Sequence, residues 1–558
     1  MSNVTMYNNT VANRCGCMCL TATSSLTMSD CNIKNNKVGT RAMLDILQGS
    51  SVIMDNVTFS DNESSQDSSS MYVSDATSII VTNSTFERNL SKNGGNSITL
   101  IFSNKISFEN CNFTANQATK ESSHLYSIFT ALTISSCIFD DTDRNVSFTG
   151  SITGGFMYLS TGSVVIITNT VFNKGFATYG GAIYILGNAD VLIESSNFTS
   201  NNADQGAAIH ATTYNTLSIS NNCIFSSNSA NSKVGEWIYV TNAFNALLIT
   251  NSQFIVNDNA IYLKRTNAII TSCTFTGNIT GVADSLNEYA GGIEFEEVAT
   301  GTIVNSTFYQ LRGKGGAFKI SSNPYFKNQN KDVSYLITDS TISSWESVGN
   351  GGGIYVDTIK ELNLTNTAVS SNMALNGEGG GIYFICYENE FDVCHLNLIG
   401  SNVTSNSAKI GGGIKWNYSK PTQDASSRVA SNTATLYGRD FACFAREIKI
   451  INEIDYTFYI NEKGINDLSE KTEGSKSKSL KRLDFAGVMS GGSIPTTYLA
   501  LVDEYNQVVT SDNSVMTEFI VDACKFSIFN IFYSIFRGKY FSKWSVWADE
   551  ILLNKWSV

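Results

Sequence analysis

Apolar and polar residues alternate in short runs along this chain. In Gly292-Ile293-Glu294-Phe295-Glu296-Glu297-Val298 the period is two, which predicts a half-buried strand and not a helix. The runs also recur. The pattern Asn-x-x-Phe-x-x-Asn is centred on Phe59, Phe86, Phe113, Phe225 and Phe254, with looser copies on Ile33, Phe139, Phe172, Phe198, Phe275, Phe308, Ile342, Val369 and Val403. Most neighbours lie about 26 or 27 residues apart, and a fixed period of this size marks a stacked array. A second beat falls between them, as in Gly154-Gly155-Phe156, Gly180-Gly181-Ala182-Ile183-Tyr184, Gly315-Gly316-Ala317-Phe318 and Gly379-Gly380-Gly381-Ile382-Tyr383. Each repeat then carries two short strands and at least two turns. The Asn after Phe suits a turn position with positive φ, and the Gly pair suits a tight turn. Only three prolines interrupt the chain. Coils of this kind predict a parallel β-helix of about fifteen rungs, each about 4.8 Å above the last, in a rod roughly 70 Å long.

One column can be read through the stack. Two residues before each Phe stand Cys31, Val57, Ser84, Cys111, Cys137, Thr170, Ser196, Cys223, Ser252, Cys273, Ser306, Ser340, Thr367 and Ser401, all small. They predict an inward ladder of space-fillers beside a ladder of large side chains. Cys111 and Cys137 fall in consecutive rungs, within reach of a disulfide, but the column reads as free thiols.

The paired Gly-Gly-Ala-Ile and Phe-x-x-Asn beats, from about Ser29 to Asp440, resemble the repeat of the chlamydial polymorphic outer membrane proteins, which also occurs in very large surface proteins of ciliates and other protists. The resemblance implies a right-handed, single-stranded parallel β-helix of the pectin-lyase-like type, displayed at a cell surface. Phe139 lacks the following Asn, Phe308 is followed by Gln310-Leu311, and the Gly pair is missing around Trp237 and Ile261, which leaves the rungs between about 230 and 290 unassigned.

Composition narrows the class. The chain has 558 residues, 42% hydrophobic and 15% charged, with net charge −12. Low charge with abundant Ser, Thr and Asn fits an extracellular or cell-surface solenoid, and the acidic balance argues against nucleic acid as a partner. The basic run Lys476 to Arg482 lies in a short Ser-Lys linker. Met1 to Thr10 has no signal-peptide pattern, and Ser2-Asn3-Val4-Thr5 resembles Ser401-Asn402-Val403-Thr404, so the chain reads as starting inside a coil of a longer protein. The β-helix is expected over residues 1–440. A β-rich, partly Ig-like segment follows over 441–522, where Thr497 to Val509 resembles strand, Asp-x-Tyr-Asn turn and strand. Residues 523–558 form an aromatic tail. The apolar stretch Phe526 to Phe536 is too short to span a bilayer, so any membrane anchor would lie elsewhere in the parent protein.

Candidate chemistry is sparse. Cys15, Cys17 and Cys19 alternate onto one strand face; their spacing lacks the gap of a zinc knuckle, so they read as a further small ladder and not as a metal site. Asp140-Asp141-Thr142-Asp143 is the one run that calcium would fit, against the reading of an acidic turn; no other cofactor is expected. Cys386 and Cys394 flank a polar insertion that a disulfide would close, with His395 a bystander. Asn-x-Ser/Thr sequons occur at Asn3, Asn56, Asn62, Asn83, Asn89, Asn112, Asn145, Asn197, Asn278, Asn305, Asn363, Asn402 and Asn417. Asn56, Asn83, Asn112, Asn197, Asn305 and Asn402 are the favoured glycan acceptors in a secreted protein. None of His124, His210 and His395 has Gly on both sides, and Glu294 and Glu296 read as a solvated outward face, so no catalytic residue is assigned. The leading reading is a non-catalytic adhesion or outer-coat protein that binds polysaccharide or another surface ligand. The rival is a polysaccharide lyase or glycoside hydrolase on the same fold.

Overall fold

The computed structural model describes residues 1–93, 96–118, 122–143, 153–230, 237–256, 259–277, 291–297, 300–310, 312–313, 315–321, 333–386, 394–444, 447–451, 484–485, 497–509, 515–522, 525–532 and 541–544. The sequons at Asn145 and Asn278, the run Lys476 to Arg482, and most of the tail lie outside them.

One coil gives the plan. The strand Ser78–Thr82 reaches a bend at Asn83, the strand Thr85–Glu87 follows, a second bend at Arg88 leads to Leu90–Ser91, and Ile98–Ile101 closes the coil. The next coil repeats these elements, and every pairing between the two is parallel. Among the described residues, one sheet of 29 strands collects the first two strands of the coils. A second, of 16 strands, holds one strand from each coil, from Met18–Leu20 to Phe441–Ala442. The chain is an all-β parallel solenoid. Coils around Trp237 and Ile261 stay in register without a Gly pair, because Ile238–Thr241 pairs with both Ile209–Thr212 and Ile261–Lys264.

Three inward ladders hold the coils together. The first is aromatic: Phe59, Phe86, Phe113, Phe139, Phe172, Phe198, Phe225, Phe254, Phe275 and Phe308 stack in one column at 4.4 to 5.1 Å, all fully buried. The column continues through Ile342, Val369, Val403 and Val429.

The second is the small column, and it does more than fill space. Ser84 Oγ accepts the backbone N–H of Val57 from the preceding coil at 3.0 Å and donates to the Thr82 carbonyl at 2.7 Å. Thr170, Ser196, Ser306, Ser340 and Ser401 accept in the same way, and Cys137 and Cys223 do so through sulfur. Except at Val57, these side chains carry an acceptor, and those named answer an N–H turned into the core by the bend before it. Cys111 and Cys137 are buried free thiols in this column.

The third ladder corrects the turn reading. The residue with positive φ is not the Asn three after Phe but the one before it: 53° at Asp61, 48° at Arg88, 49° at Ala115. That bend throws the Asn side chain inward, where Asn36, Asn62, Asn89 and Asn116 form a buried amide ladder, repeated by Asn201 and Asn228 and by Asn372, Asn406 and Asn432. The first Asn of each motif supplies the other bend, with φ of 51° at Asn56 and 49° at Asn83. The Gly pairs divide the labour. Gly180 takes φ of 67°, whereas a Cβ on Gly181 would stand 2.1 Å from the Ala207 carbonyl of the next coil.

Beyond the last coil the pairing becomes antiparallel. Glu447–Ile451 pairs with Thr497–Val502, which also pairs with Phe541–Trp544, and Val515–Asp522 pairs with Lys525–Phe532. The turn after Thr497–Val502 covers the end of the solenoid. The Tyr505 ring stacks on Phe441 at 5.2 Å, and Gln507 Nε2–H donates to the Phe441 carbonyl at 2.7 Å. Among the described residues no helix is long and apolar enough to cross a membrane.

Candidate functional site

The outward face of the 16-stranded sheet carries a column that the Phe period does not reveal. Strand register places Tyr72, Thr99, Tyr126, Tyr158, Tyr184, His210, Tyr239, Tyr262, Glu294, Lys319, Tyr355, Tyr383 and Lys415 one above another. Six consecutive members are rings. From Tyr126 to Tyr262 their centroids are 4.7 to 5.2 Å apart, with planes inclined by 14 to 38°. Because the faces of the rings cover one another, the column turns ring edges outward. Tyr126, Tyr158, Tyr184 and Tyr239 are half-buried; exposed Tyr179 stands edge-on to His210 at 5.2 Å. Burial pushes His210 down to about 4, against the pull of the Gln205 carbonyl, so its ring is neutral at ordinary pH.

At Tyr262 the ring stack ends in a network of charges. The Tyr262 hydroxyl donates to Glu296 Oε2. Lys319 Nζ binds Glu294 at 2.8 Å, Lys264 Nζ binds Glu297 at 2.9 Å, and Arg265 closes on Glu297 at 2.7 Å. Glu294 and Glu297 are each 3% exposed and Glu296 is half-buried. This overturns the solvated-face reading of Glu294 and Glu296. Alternation does point them outward, but cationic neighbours from the adjoining strands fold over them. Burial, reinforced by Glu297, raises the Glu296 carboxyl above the usual range.

The remaining candidates read from the sequence are scattered. Cys15, Cys17 and Cys19 do not share a face. Cys15 has φ of 61°, which breaks the alternation and brings it to Cys19, with which it forms a disulfide, while Cys17 packs against the core. Asp140 Oδ1 accepts from Thr142 N–H at 2.8 Å and Asn173 Nδ2–H at 3.1 Å, Asp143 is exposed, and Asp141 turns inward. There Asp141 accepts from His124 Nε2–H at 3.1 Å, and Asn116 Nδ2–H donates to His124 Nδ1 at 2.8 Å. Phe139 is followed by Thr142 where the amide ladder would need an Asn, so His124 and Asp141 fill the interior at that coil. Cys386 and Cys394 are joined, with Cα atoms 6.1 Å apart; His395 is exposed. Of the favoured sequon residues, Asn56, Asn83, Asn112, Asn305 and Asn402 are exposed and Asn197 is half-buried, whereas Asn62 and Asn89 are sealed in the amide ladder.

The family model described as right handed beta helix region matches residues 1–139 and, overlapping it, 42–237. No curated protein matches the chain. Among solved structures, the A-module of the Azotobacter vinelandii mannuronan C-5 epimerase AlgE4 is similar at 11% identity, over 62% of this chain and 86% of that one, with a TM-score of 0.28. The tailspike protein of E. coli bacteriophage HK620, in complex with pentasaccharide, is similar at 8% identity, over 95% of this chain and 86% of that one, with a TM-score of 0.33. The parallel coils, with the family match over the first 237 residues, identify the chain as a right-handed parallel β-helix.

Proposed function

We propose that this chain is a non-catalytic, extracellular or cell-surface β-helix protein that holds an extended polysaccharide along its outward tyrosine column. The unbroken ring stack from Tyr126 to Tyr262 carries the reading. It repeats an apolar ring edge once per coil, with a phenol on every ring but His210, a spacing close to one sugar unit of an extended chain. Sugars combine hydroxyls with apolar C–H faces and match such a row along its whole length. A net charge of −12 favours neutral over polyanionic chains.

A second reading rests on Glu296. A carboxyl raised by burial above its usual range and hydrogen-bonded to Tyr262, at the end of the ring column, is the group placed to act as a general acid on a glycosidic oxygen. The test measures retention of the chain by a panel of neutral and acidic polysaccharides, with and without calcium, while following reducing ends and unsaturated product. Retention without turnover, weakened at least about tenfold in Tyr184→Ala and Tyr239→Ala, is the expected result. Turnover abolished by Glu296→Gln would replace adhesion with hydrolysis or elimination. Undiminished retention in both tyrosine variants would remove the column from either reading.

A further inference from the structure

The foot of the outward column is built differently from the rest. Cys19 is in register with Asp45, and Asp45 with Tyr72. Cys15 joins Cys19 there with Cα atoms 5.4 Å apart, and Cys15 Sγ lies 3.7 Å from Asp45 Oδ2. The two sulfurs and a carboxylate oxygen all lie within 4.8 Å of one another. Asp45 is 1% exposed. Arg41 Nη1 reaches its Oδ2 at 3.5 Å, and its Oδ1 has no hydrogen-bond partner. A buried carboxylate oxygen without a donor is costly, and here the orphan Oδ1 belongs to a carboxylate whose other oxygen lies beside Cys15 Sγ, so a cation at this corner would complete the set.

We propose that reduction of the Cys15–Cys19 bond converts this corner into a site for one zinc ion, held by Cys15, Cys19 and Asp45 with water in the fourth position. Two thiolates and a carboxylate are a donor set for a borderline-soft divalent cation and a poor one for calcium or magnesium. The electron count is simple. A phosphine reductant supplies two electrons to the disulfide and leaves as its oxide, taking oxygen from water, whose two protons form the thiols. Zinc then displaces both thiol protons. The resulting site carries one net negative charge, which the Arg41 guanidinium offsets. Arg41 is itself held over the Tyr72 ring at 4.3 Å, so it fixes the orientation of Asp45 without being a ligand. Cys17 is not part of the set: it packs against the core. Disulfide and metal are therefore alternative closures of the same corner, selected by the redox state of the surroundings.

The test titrates cobalt(II), and then zinc as its competitor, into the full chain with and without prior phosphine reduction. Thiolate-to-cobalt charge-transfer and tetrahedral ligand-field bands are the readout. One equivalent bound by the reduced chain and none by the oxidised chain is expected. Cys15→Ser and Cys19→Ser abolish the bands, Asp45→Asn weakens binding about 10- to 100-fold, and Cys17→Ser leaves both unchanged. Cys19 is exposed, so its substitution spares the fold, which β-type circular dichroism checks. Bands that persist in Cys15→Ser or Cys19→Ser, or reduced and folded protein that shows none, would overturn the proposal.

Discussion

Asn89 Oδ1 accepts two hydrogen bonds from Asn62: the backbone N–H at 3.1 Å and the side-chain Nδ2–H at 3.0 Å. The amide of Asn89 in turn donates to the Phe59 carbonyl at 2.9 Å. Replacing Asn89 by Ala strands three buried polar groups at once. A loss of about 3 kcal/mol in denaturant unfolding is expected, and a loss under about 0.5 kcal/mol would show that water reaches the ladder. The same burial predicts that Asn62 and Asn89 stay unmodified when the chain is secreted from a glycosylating host, whereas Asn56 and Asn83 accept glycan. Peptide mass spectrometry reads the four sites in one digest.

The small column separates acceptor chemistry from size. Ser84→Ala removes the acceptor for the Val57 N–H and should cost about 1 to 2 kcal/mol. Ser84→Cys should cost less, because sulfur already fills this role at Cys137 and Cys223. Equal losses in the two variants would return the column to mere packing.

Among the glycines, Gly352 and Gly49 test stacking against strain. A Cβ on Gly352 would stand 2.1 Å from the Gly380 carbonyl, a backbone atom that cannot yield, and several kcal/mol are expected for Gly352→Ala. Gly49, at φ of 72°, meets a Thr23 methyl at 3.3 Å, and Gly49→Ala should cost only the strain of about 1 kcal/mol. Thermal midpoints that fall equally would contradict this ranking.

The cap has a pH dependence of its own. Asp503, buried to 2% exposure, accepts the N–H groups of Tyr505 and Gln507, and burial pushes it up to about 6. A carboxyl that holds its proton more tightly in the folded state gains stability as pH falls. Its contribution is fully present below about pH 4, is lost as pH rises through 6, and amounts to about 3 kcal/mol in all. Amide exchange at Tyr505 and Gln507 should therefore be slower at pH 4.5 than at pH 7 after correction for intrinsic rates. Asp503→Asn should flatten the difference.

The solenoid was legible because its inward residues repeat at nearly equal steps: Phe59, Phe86 and Phe113 declare the period, and a period of that length has few folds. The column of Tyr126, Tyr158 and Tyr184 was not legible, since Thr99, His210 and Glu294 stand at its other levels and break the residue type, so that only strand register aligns them. Glu294 and Glu296 were placed on the correct face, but their burial depends on Lys264, Arg265 and Lys319 from neighbouring coils. The same limit applies to Cys15, whose left-handed backbone no alternation rule foresees.

The change from stacked Phe to Ile342, Val369, Val403 and Val429 gives the rod a mechanical polarity. In the C-terminal coils this inward column no longer supplies the aromatic face-to-face contacts that join each coil of the Phe column to the next, although Tyr355 still stacks on Tyr383 on the outward face. Pulled along its axis, the molecule should yield first from the capped end once Tyr505 leaves Phe441. It should then peel in steps of roughly 90 Å, the extended length of one coil. The peeling should stall at Phe308, where the aromatic column begins. A solenoid made this way absorbs load at one end and keeps the stacked rings from Tyr126 to Tyr262 folded at the other.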